Sequence, residues 1–409
     1  MPTASNANRN TGLAEFIALV AAMSALVAIT IDAMLPGLPA MGIDLAVSDQ
    51  NHTQLVIAFI FIGMVIGSLF FGPLSDSIGR KPAISISMVV FLIGSFIAWQ
   101  AESFTTMLIS RVIQGLGVSG PRIIAMAMVR DRFAGNQLAR VMSFINAVFI
   151  LMPAVAPSIG QAILVFAGWR AIFVLFMVFG LAVWVWISIR QPETNPKSQR
   201  KPFAISLIWQ SFLAVITTRT TLLYTIALGA LFGSFLGYLN ASQQIFEQSF
   251  GIVDQFPMYF AMLALAFGSA SLMNAKMVMK WGMKAIAEKS LTVFVVASVV
   301  FFIVCVIFEG YPPFWLFMAF ALVTFMALSV SFGNLNAMSM DPLGAHAGMG
   351  AAVISSLSTS IALPIGILSG QMYDGRLYVM ALAFSMCGAI ALAITKDARA
   401  IDLGVLGRH

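Results

Sequence analysis

Twelve long apolar runs, separated by short polar stretches, leave this chain few ways to fold. A bilayer core of ~30 Å takes ~20 helical residues to cross. By that ruler the spans fall near 14–38, 54–74, 83–101, 104–129, 141–163 and 168–189. A second set falls near 222–243, 256–275, 287–308, 314–339, 347–370 and 377–395. Inside lipid every backbone N–H and C=O must be paired within the chain, which favours helices for runs of this length. The 409 residues are 60% hydrophobic and 9% charged, against roughly 45–50% and 25% in soluble domains. A soluble fold lacks the interior volume to hide that much apolar surface. The expected class is an all-α membrane protein of twelve transmembrane helices in two six-helix halves.

Charge fixes the orientation. The net charge of +6 does not mark a nucleic-acid-binding domain, because the cations sit in short loops between apolar runs. With the amino terminus inside, eighteen of the 22 Lys and Arg residues fall on the cytoplasmic side. Arg170 and Arg376 fall outside, and two stay within spans. That asymmetry places both termini in the cytoplasm.

The most polar stretch, Arg190 to Lys201 (RQPETNPKSQRK), reads as a linker between the halves. The apolar segment 203–218 is short for a span. Counting it as one would put Lys276, Lys280, Lys284 and Lys289 outside, so it reads as an interfacial helix. The expected organisation is a cytoplasmic tail 1–13, a first half 14–189, a linker 190–221, a second half 222–395 and a cytoplasmic tail 396–409. Gly79-Arg80-Lys81 after span two is echoed by Gly282-Met283-Lys284 after span eight, the trace of a decayed repeat. The polar start leads into an apolar run too long for a signal peptide, which reads as a retained first span. Cys305 and Cys387 lie in apolar runs and suggest no disulfide framework. Three histidines, with His346 at the start of span eleven, have no metal-ligand spacing; no metal and no cofactor are expected.

Polar residues at membrane depth carry the chemistry. Arg111 lies about two turns inside span four, where a charge costs at least ~2.5 kcal/mol unless it faces the interior or water. An anchor snorkelling to the interface is the bland alternative. Arg122 lies eleven residues on, ~3.1 turns away on the same face. It either continues a polar stripe with Gln114 or reaches the cytoplasmic interface past a kink at Pro121. Asp32 is the one acid placed more than a turn inside a span. A carboxylate removed from water can exchange protons near neutral pH, although an interfacial acid at the outer helix end also fits. Asn146, Tyr238, Asn240, Asn334 and Asn336 suit either a cavity lining or interhelical hydrogen bonds.

Three motifs add a resemblance. After span two, Gly72, Asp76, Gly79, Arg80 and Lys81 follow G-x-x-x-D-x-x-G-R-K, with Asp76 and Arg80 one turn apart. This is similar to the signature of the major facilitator superfamily. Arg111-Val112-Ile113-Gln114-Gly115 resembles its R-x-x-Q-G motif, whose arginine is tied in relatives to proton coupling. Pro153, Pro157 and Gly160 in span five resemble the antiporter motif in the form found in the Bcr/CflA (bicyclomycin and chloramphenicol resistance) efflux family. Ile31-Asp32-Ala33-Met34-Leu35-Pro36, Val129-Arg130-Asp131 and Gly168-Trp169-Arg170 agree with that family.

The resemblance implies a monomer in the bacterial inner membrane, driven by the proton gradient, with a cavity opening alternately to each side. It implies that Asp32 and Arg111 couple protons, and that Asp76 and Arg80 form a cytoplasmic latch with Asp131. One departure is Ser24, where some drug antiporters carry a second acid. The expected function is export of small antimicrobial compounds, phenicol- or bicyclomycin-like and neutral. A proton-coupled nutrient importer is the alternative within transport. A membrane-embedded enzyme is disfavoured, since neither H-E-x-x-H nor G-x-S-x-G occurs.

Overall fold

The computed structural model describes residues 12–133, 135–200 and 202–406, and they form helices joined by short turns. Arg9, Lys201 and Arg408, counted above as cytoplasmic cations, lie outside the described residues, as do the side chains of Arg140, Asn146, His346 and Arg399. The helices are α1 (Leu13–Asp32), α2 (Leu38–Asp44), α3 (Leu55–Ile78), α4 (Arg80–Trp99), α5 (Phe104–Arg132), α6 (Gly135–Ala167) and α7 (Arg170–Arg190). They continue with α8 (Ile205–Thr217), α9 (Arg219–Gln244), α10 (Phe256–Trp281), α11 (Met283–Ile307), α12 (Phe314–Met340), α13 (Ala347–Gln371) and α14 (Tyr378–Leu406). Among the described residues, 11 helical stretches are long and apolar enough to cross a membrane. The expected fifth span falls on α6, within which the stretch Leu151–Ala167 is apolar.

Two compact units emerge. One comprises Met1–Met41 and Phe59–Ile205, the other Gly42–Ala58 and Ser206–His409. The division departs from a simple cut at the linker, because the stretch ending in the first turn of α3 groups with the second unit. The physical reason lies in its hydrogen bonds: Asn51 donates through Nδ2 to the carbonyls of Gln371 and Tyr373, and Gln371 Nε2 returns a bond to Asn51 O.

In the first unit α4 packs along α5 and α7, while α1 packs against α6, α5 and α7. Small residues permit these contacts. A Cβ on Gly115 would lie 2.8 Å from the carbonyl carbon of Ile60, and one on Gly117 would lie 2.6 Å from Phe91 Cα. Backbones therefore touch where larger side chains would hold the helices apart. In the second unit α9 packs against α13 and α14, α10 against α12, and α11 against α12 and α14. Rings of Phe246, Tyr259, Phe314 and Phe317 cluster near one end of this unit. Helix α8 buries Ser211 and Val215 and leaves Ile205, Trp209 and Leu213 exposed, an amphipathic arrangement suited to a membrane surface.

Two helix junctions share one backbone form. The stretch expected as a loop, from Gly72 to Pro82, is helical except at Gly79, so α3 and α4 meet at one residue with φ of 106°. Gly282 joins α10 to α11 in the same way, with φ of 77°. Positive φ costs glycine little, so this residue type turns the chain between consecutive helices.

Candidate functional site

The first span is not one continuous helix. Helix α1 ends at Asp32, a 3-10 turn covers Leu35–Gly37, and α2 resumes at Leu38. Pro36 has no N–H to continue the ladder, and its ring disfavours α geometry at the residue before it. The expected span 14–38 therefore breaks next to Asp32, the acid near its far end. Asp32 is buried there, and among the described residues it has neither hydrogen-bond donor nor ion-pair partner.

Arg111 reaches this break from α5. Its side chain is fully buried, and its Nη2 donates to the carbonyl of Thr30 at 3.1 Å. That carbonyl lies in the last turn of α1, where helix acceptors lack intrahelical donors and carry partial negative charge. Nη1 donates to Gln114 Oε1, Gln114 Nε2 donates to Ser95 Oγ at 2.8 Å, and Ser95 Oγ donates to Phe91 O. The ring of Phe173 on α7 stands 6.0 Å from the guanidinium. Arg111 is thus an interior group tied to α1 and, through Gln114, to α4. It is not a snorkelling anchor.

Helix α6 closes on the same break. A Cβ on Gly160 would lie 2.7 Å from the carbonyl carbon and 3.1 Å from the Cα of Ala33, beside Asp32. Pro153 and Pro157 both lie within this helix, Pro157 buried. Ser24 is buried and donates to Val20 O at 3.1 Å, so a hydroxyl satisfied within its own helix occupies the position of the missing second acid. Arg122 shares the face of Arg111 but is exposed, so the two arginines sit in different surroundings.

The motif between α3 and α4 assembles around Arg80, which is 7% exposed. Its Nη1 pairs with Asp76 Oδ1 at 2.5 Å and donates to Ser75 Oγ at 2.7 Å. Its Nε and Nη2 pair with the Asp131 carboxylate of α5 at 2.9 and 3.3 Å. The guanidinium thereby joins the end of α3 to the end of α5 with its fork filled.

In the second unit the named polar residues separate. Asn334 is buried and donates to Asn274 Oδ1 at 2.9 Å and to Val330 O, which makes it an interhelical tie; Asn336 is exposed. Tyr238 and Asn240 are buried on α9, and among the described residues neither the Tyr238 hydroxyl nor Asn240 Oδ1 has a partner. Asn240 Nδ2 donates to Gly366 O at 3.3 Å. Gln243 Oε1, Gln244 Nε2 and Gln54 Oε1 are likewise buried and unpaired, although Gln54 Nε2 donates to Gln244 Oε1. Buried polar atoms left unpaired are costly, and Tyr238, Asn240, Gln243 and Gln244 gather several of them on α9. Tyr238, Ser234, Ser369 and Tyr373 line a small recess beside it. Burial, the larger cause, pushes the Tyr373 phenol up to about 12, against a hydrogen bond with Ser249 that lowers it. It therefore remains neutral. Among the described residues no three His, Cys, Asp or Glu side chains gather as a metal site would need.

Gln54, Gln243 and Gln244 escaped sequence reading because amides in apolar runs are common. The spacing of Gln243 and Gln244 on α9, with Tyr238 and Asn240, was the one available signal. Glu193, Thr194 and Asn195, read as plain linker, lie against the Arg80 cluster.

The model of the Major Facilitator Superfamily matches residues 18–367. The chain is 28% identical to a bicyclomycin resistance protein homolog of Haemophilus influenzae over 378 residues, 92% of this chain and 94% of the relative. It is 28% identical to the multidrug resistance protein MdtL of a Shewanella species over 387 residues, 90% of this chain and 92% of that one. Among solved structures, a D-xylose-proton symporter aligns with TM-score 0.73 at 14% identity, covering 93% of this chain and 97% of that one. The human organic anion transporter MFSD10 aligns with TM-score 0.66 at 17% identity, covering 93% and 97%. At these identities the structural matches speak for the fold alone.

Proposed function

The chain belongs to the Major Facilitator Superfamily, a family of transporters, and we propose that it exports small antimicrobial compounds from bacteria in exchange for protons. The multi-pass helical chain resides in the inner membrane. We read α6 as the remaining crossing, which makes twelve spans with both termini cytoplasmic. The halves then run 14–189 and 222–395, joined by the linker 190–221, with tails 1–13 and 396–409, in a monomer.

One observation carries the proton coupling. Asp32, buried and without a counter-ion, ends α1 at a break that Arg111 grips from α5 and Gly160 abuts from α6. Because no ion pair must break, Asp32 can change its protonation while the local packing stays intact. Its charge instead acts on the α1 end that Arg111 holds. Substrate binding from the cytoplasm favours loss of the proton inward, and reprotonation from outside follows substrate release. Coupling requires that substrate and proton compete, directly or through a shared conformational equilibrium. A potential of about 100 mV supplies ~2.3 kcal/mol per charge moved, enough for a substrate gradient of nearly two decades.

The polar face of α9, with Tyr238 and Asn240, is the proposed contact for substrate. A break that holds one buried acid, Asp32, and one buried arginine, Arg111, favours neutral or anionic compounds over multivalent cations. Resistance of cells expressing the protein to a phenicol and to a lipophilic dication tests this reading. Protection against the phenicol is expected, and protection against the dication alone contradicts it. A nutrient importer has less support, because the relatives covering most of the chain bear resistance names.

A further inference from the structure

The linker does more than span a distance. Three consecutive residues, Glu193, Thr194 and Asn195, each bind a different element of the Arg80 cluster. Glu193 accepts from the backbone N–H of Arg80 at 2.8 Å and of Lys81 at 3.1 Å. These are the first amides of α4, and Gly79 at its N-cap has no side chain to serve them. A carboxylate suits that place, because it forms charge-assisted bonds and meets the positive end of the helix dipole. Asn195 Nδ2 donates to the carbonyls of Asp76 at 3.1 Å and Ser75 at 3.4 Å in the last turn of α3. Thr194 Oγ1 donates to Asp131 Oδ2 at 2.9 Å, the same oxygen that takes Arg80 Nε.

The strap is itself braced. Asn195 N donates to Glu193 Oε1 at 3.0 Å, and Arg200 Nε donates to Asn195 O at 3.2 Å. Asn195 is buried. A second, independent observation is the space over Gly79. A Cβ there would lie 2.7 Å from Glu193 Oε2 and 2.6 Å from Arg200 Nη2. The motif glycine thus does two things: it turns the chain with positive φ, and it leaves room for the carboxylate that crosses it.

We propose that Glu193, Thr194 and Asn195 are positioning residues of the cytoplasmic gate, holding the end of α3, the start of α4 and Asp131 so that the Arg80 ion pairs form. The proposal rests on the transport reading above for its functional consequence, but not for the docking itself. The strap touches no substrate. Its loss therefore acts on the conformational step, and the rate falls while apparent substrate affinity holds.

The test uses the full-length protein in proteoliposomes, with a phenicol as probe and hydrogen exchange as a readout that needs no substrate. Glu193→Ala is expected to lower the initial rate about tenfold, within the range of typical coupling effects, at unchanged apparent KM. Glu193→Gln is expected to recover part of the rate, since its amide oxygen still accepts. Because the strap acts through Arg80, the double variant Glu193→Ala/Arg80→Ala should be no slower than Arg80→Ala alone. The Arg80 and Lys81 amides should exchange faster in Glu193→Ala. Thr194→Val leaves the α4 cap intact and frees only Asp131, so it carries the test if Glu193→Ala fails to fold; a slower rate at unchanged KM is expected. Full rates in Glu193→Ala or Thr194→Val, or losses in the double variant that multiply, overturn the proposal. If the wild-type protein moves no phenicol, the transport reading fails alone. Unchanged exchange at Arg80 and Lys81 in Glu193→Ala then overturns the strap separately.

Discussion

Replacing Gly160 with alanine probes whether the α1 break and α6 work as one unit. The added Cβ would lie 2.7 Å from the carbonyl carbon of Ala33 and 3.1 Å from its Cα. Carbon atoms in contact rest ~3.5–4.0 Å apart, so the two backbones must separate by roughly 1 Å. Neither partner can yield by a rotamer change, because both contacting groups are main chain. Overpacking of this kind costs about 1–3 kcal/mol, which a protein of this size survives. Function is more sensitive. A displacement of ~1 Å in an aligned site can cost on the order of a hundredfold in rate, and Ala33 adjoins Asp32. Gly160→Ala should therefore lower gradient-driven transport at least about tenfold while the protein remains in the membrane and melts only modestly lower. Initial rates in proteoliposomes, with thermal unfolding measured in parallel, decide the matter. Ser158→Ala, an exposed change two residues away, provides the comparison. Wild-type transport by Gly160→Ala would refute the claim that this contact shapes the proton site.

Other substitutions separate the remaining roles. Arg111→Lys keeps the charge but cannot fork between Thr30 O and Gln114 Oε1, so coupling should fall, and a stoichiometry measured by reversal potential should drop below that of wild type. Arg80→Ala leaves the Asp131 and Asp76 carboxylates without their shared cation; because Asp76 is 43% and Asp131 23% exposed, the first unit should lose only about 1–2 kcal/mol, seen as slightly earlier thermal unfolding. Tyr238→Phe removes a buried hydroxyl that has no partner, so stability should hold or rise by about 1–3 kcal/mol. Its apparent KM for the exported compound should nevertheless rise, as expected of a hydroxyl that waits for substrate.

What could be read from the sequence was local. Asp76 and Arg80 stand four residues apart on one helix, so their pairing follows from spacing alone. Loop charges and run lengths likewise report on the chain a few turns at a time. The break after Asp32 was signalled by Pro36, yet hydrophobicity continues through it, and a ruler of apolar length passes over a kink that burial hides. Contacts made across the chain gave no such sign. Glu193 meets Arg80 across 113 residues, and Gln54 meets Gln244 across 190. Nothing in PETN distinguishes a docked strap from a polar linker, since the same residues suit a solvated turn. The polar face of α9 was half visible: Tyr238 and Asn240 stood out, whereas the unpaired atoms that give them meaning appear only once neighbours are in place.

Gradient-driven exchange by Asp32→Asn tests the central claim most directly. Proteoliposomes carrying an imposed pH difference should accumulate a phenicol through the wild-type protein. The Asn variant should lose that accumulation yet still exchange labelled for unlabelled drug when no gradient is present, since the amide leaves the cavity and its packing in place. Accumulation by Asp32→Asn at the wild-type level would contradict the assignment of the proton site to Asp32.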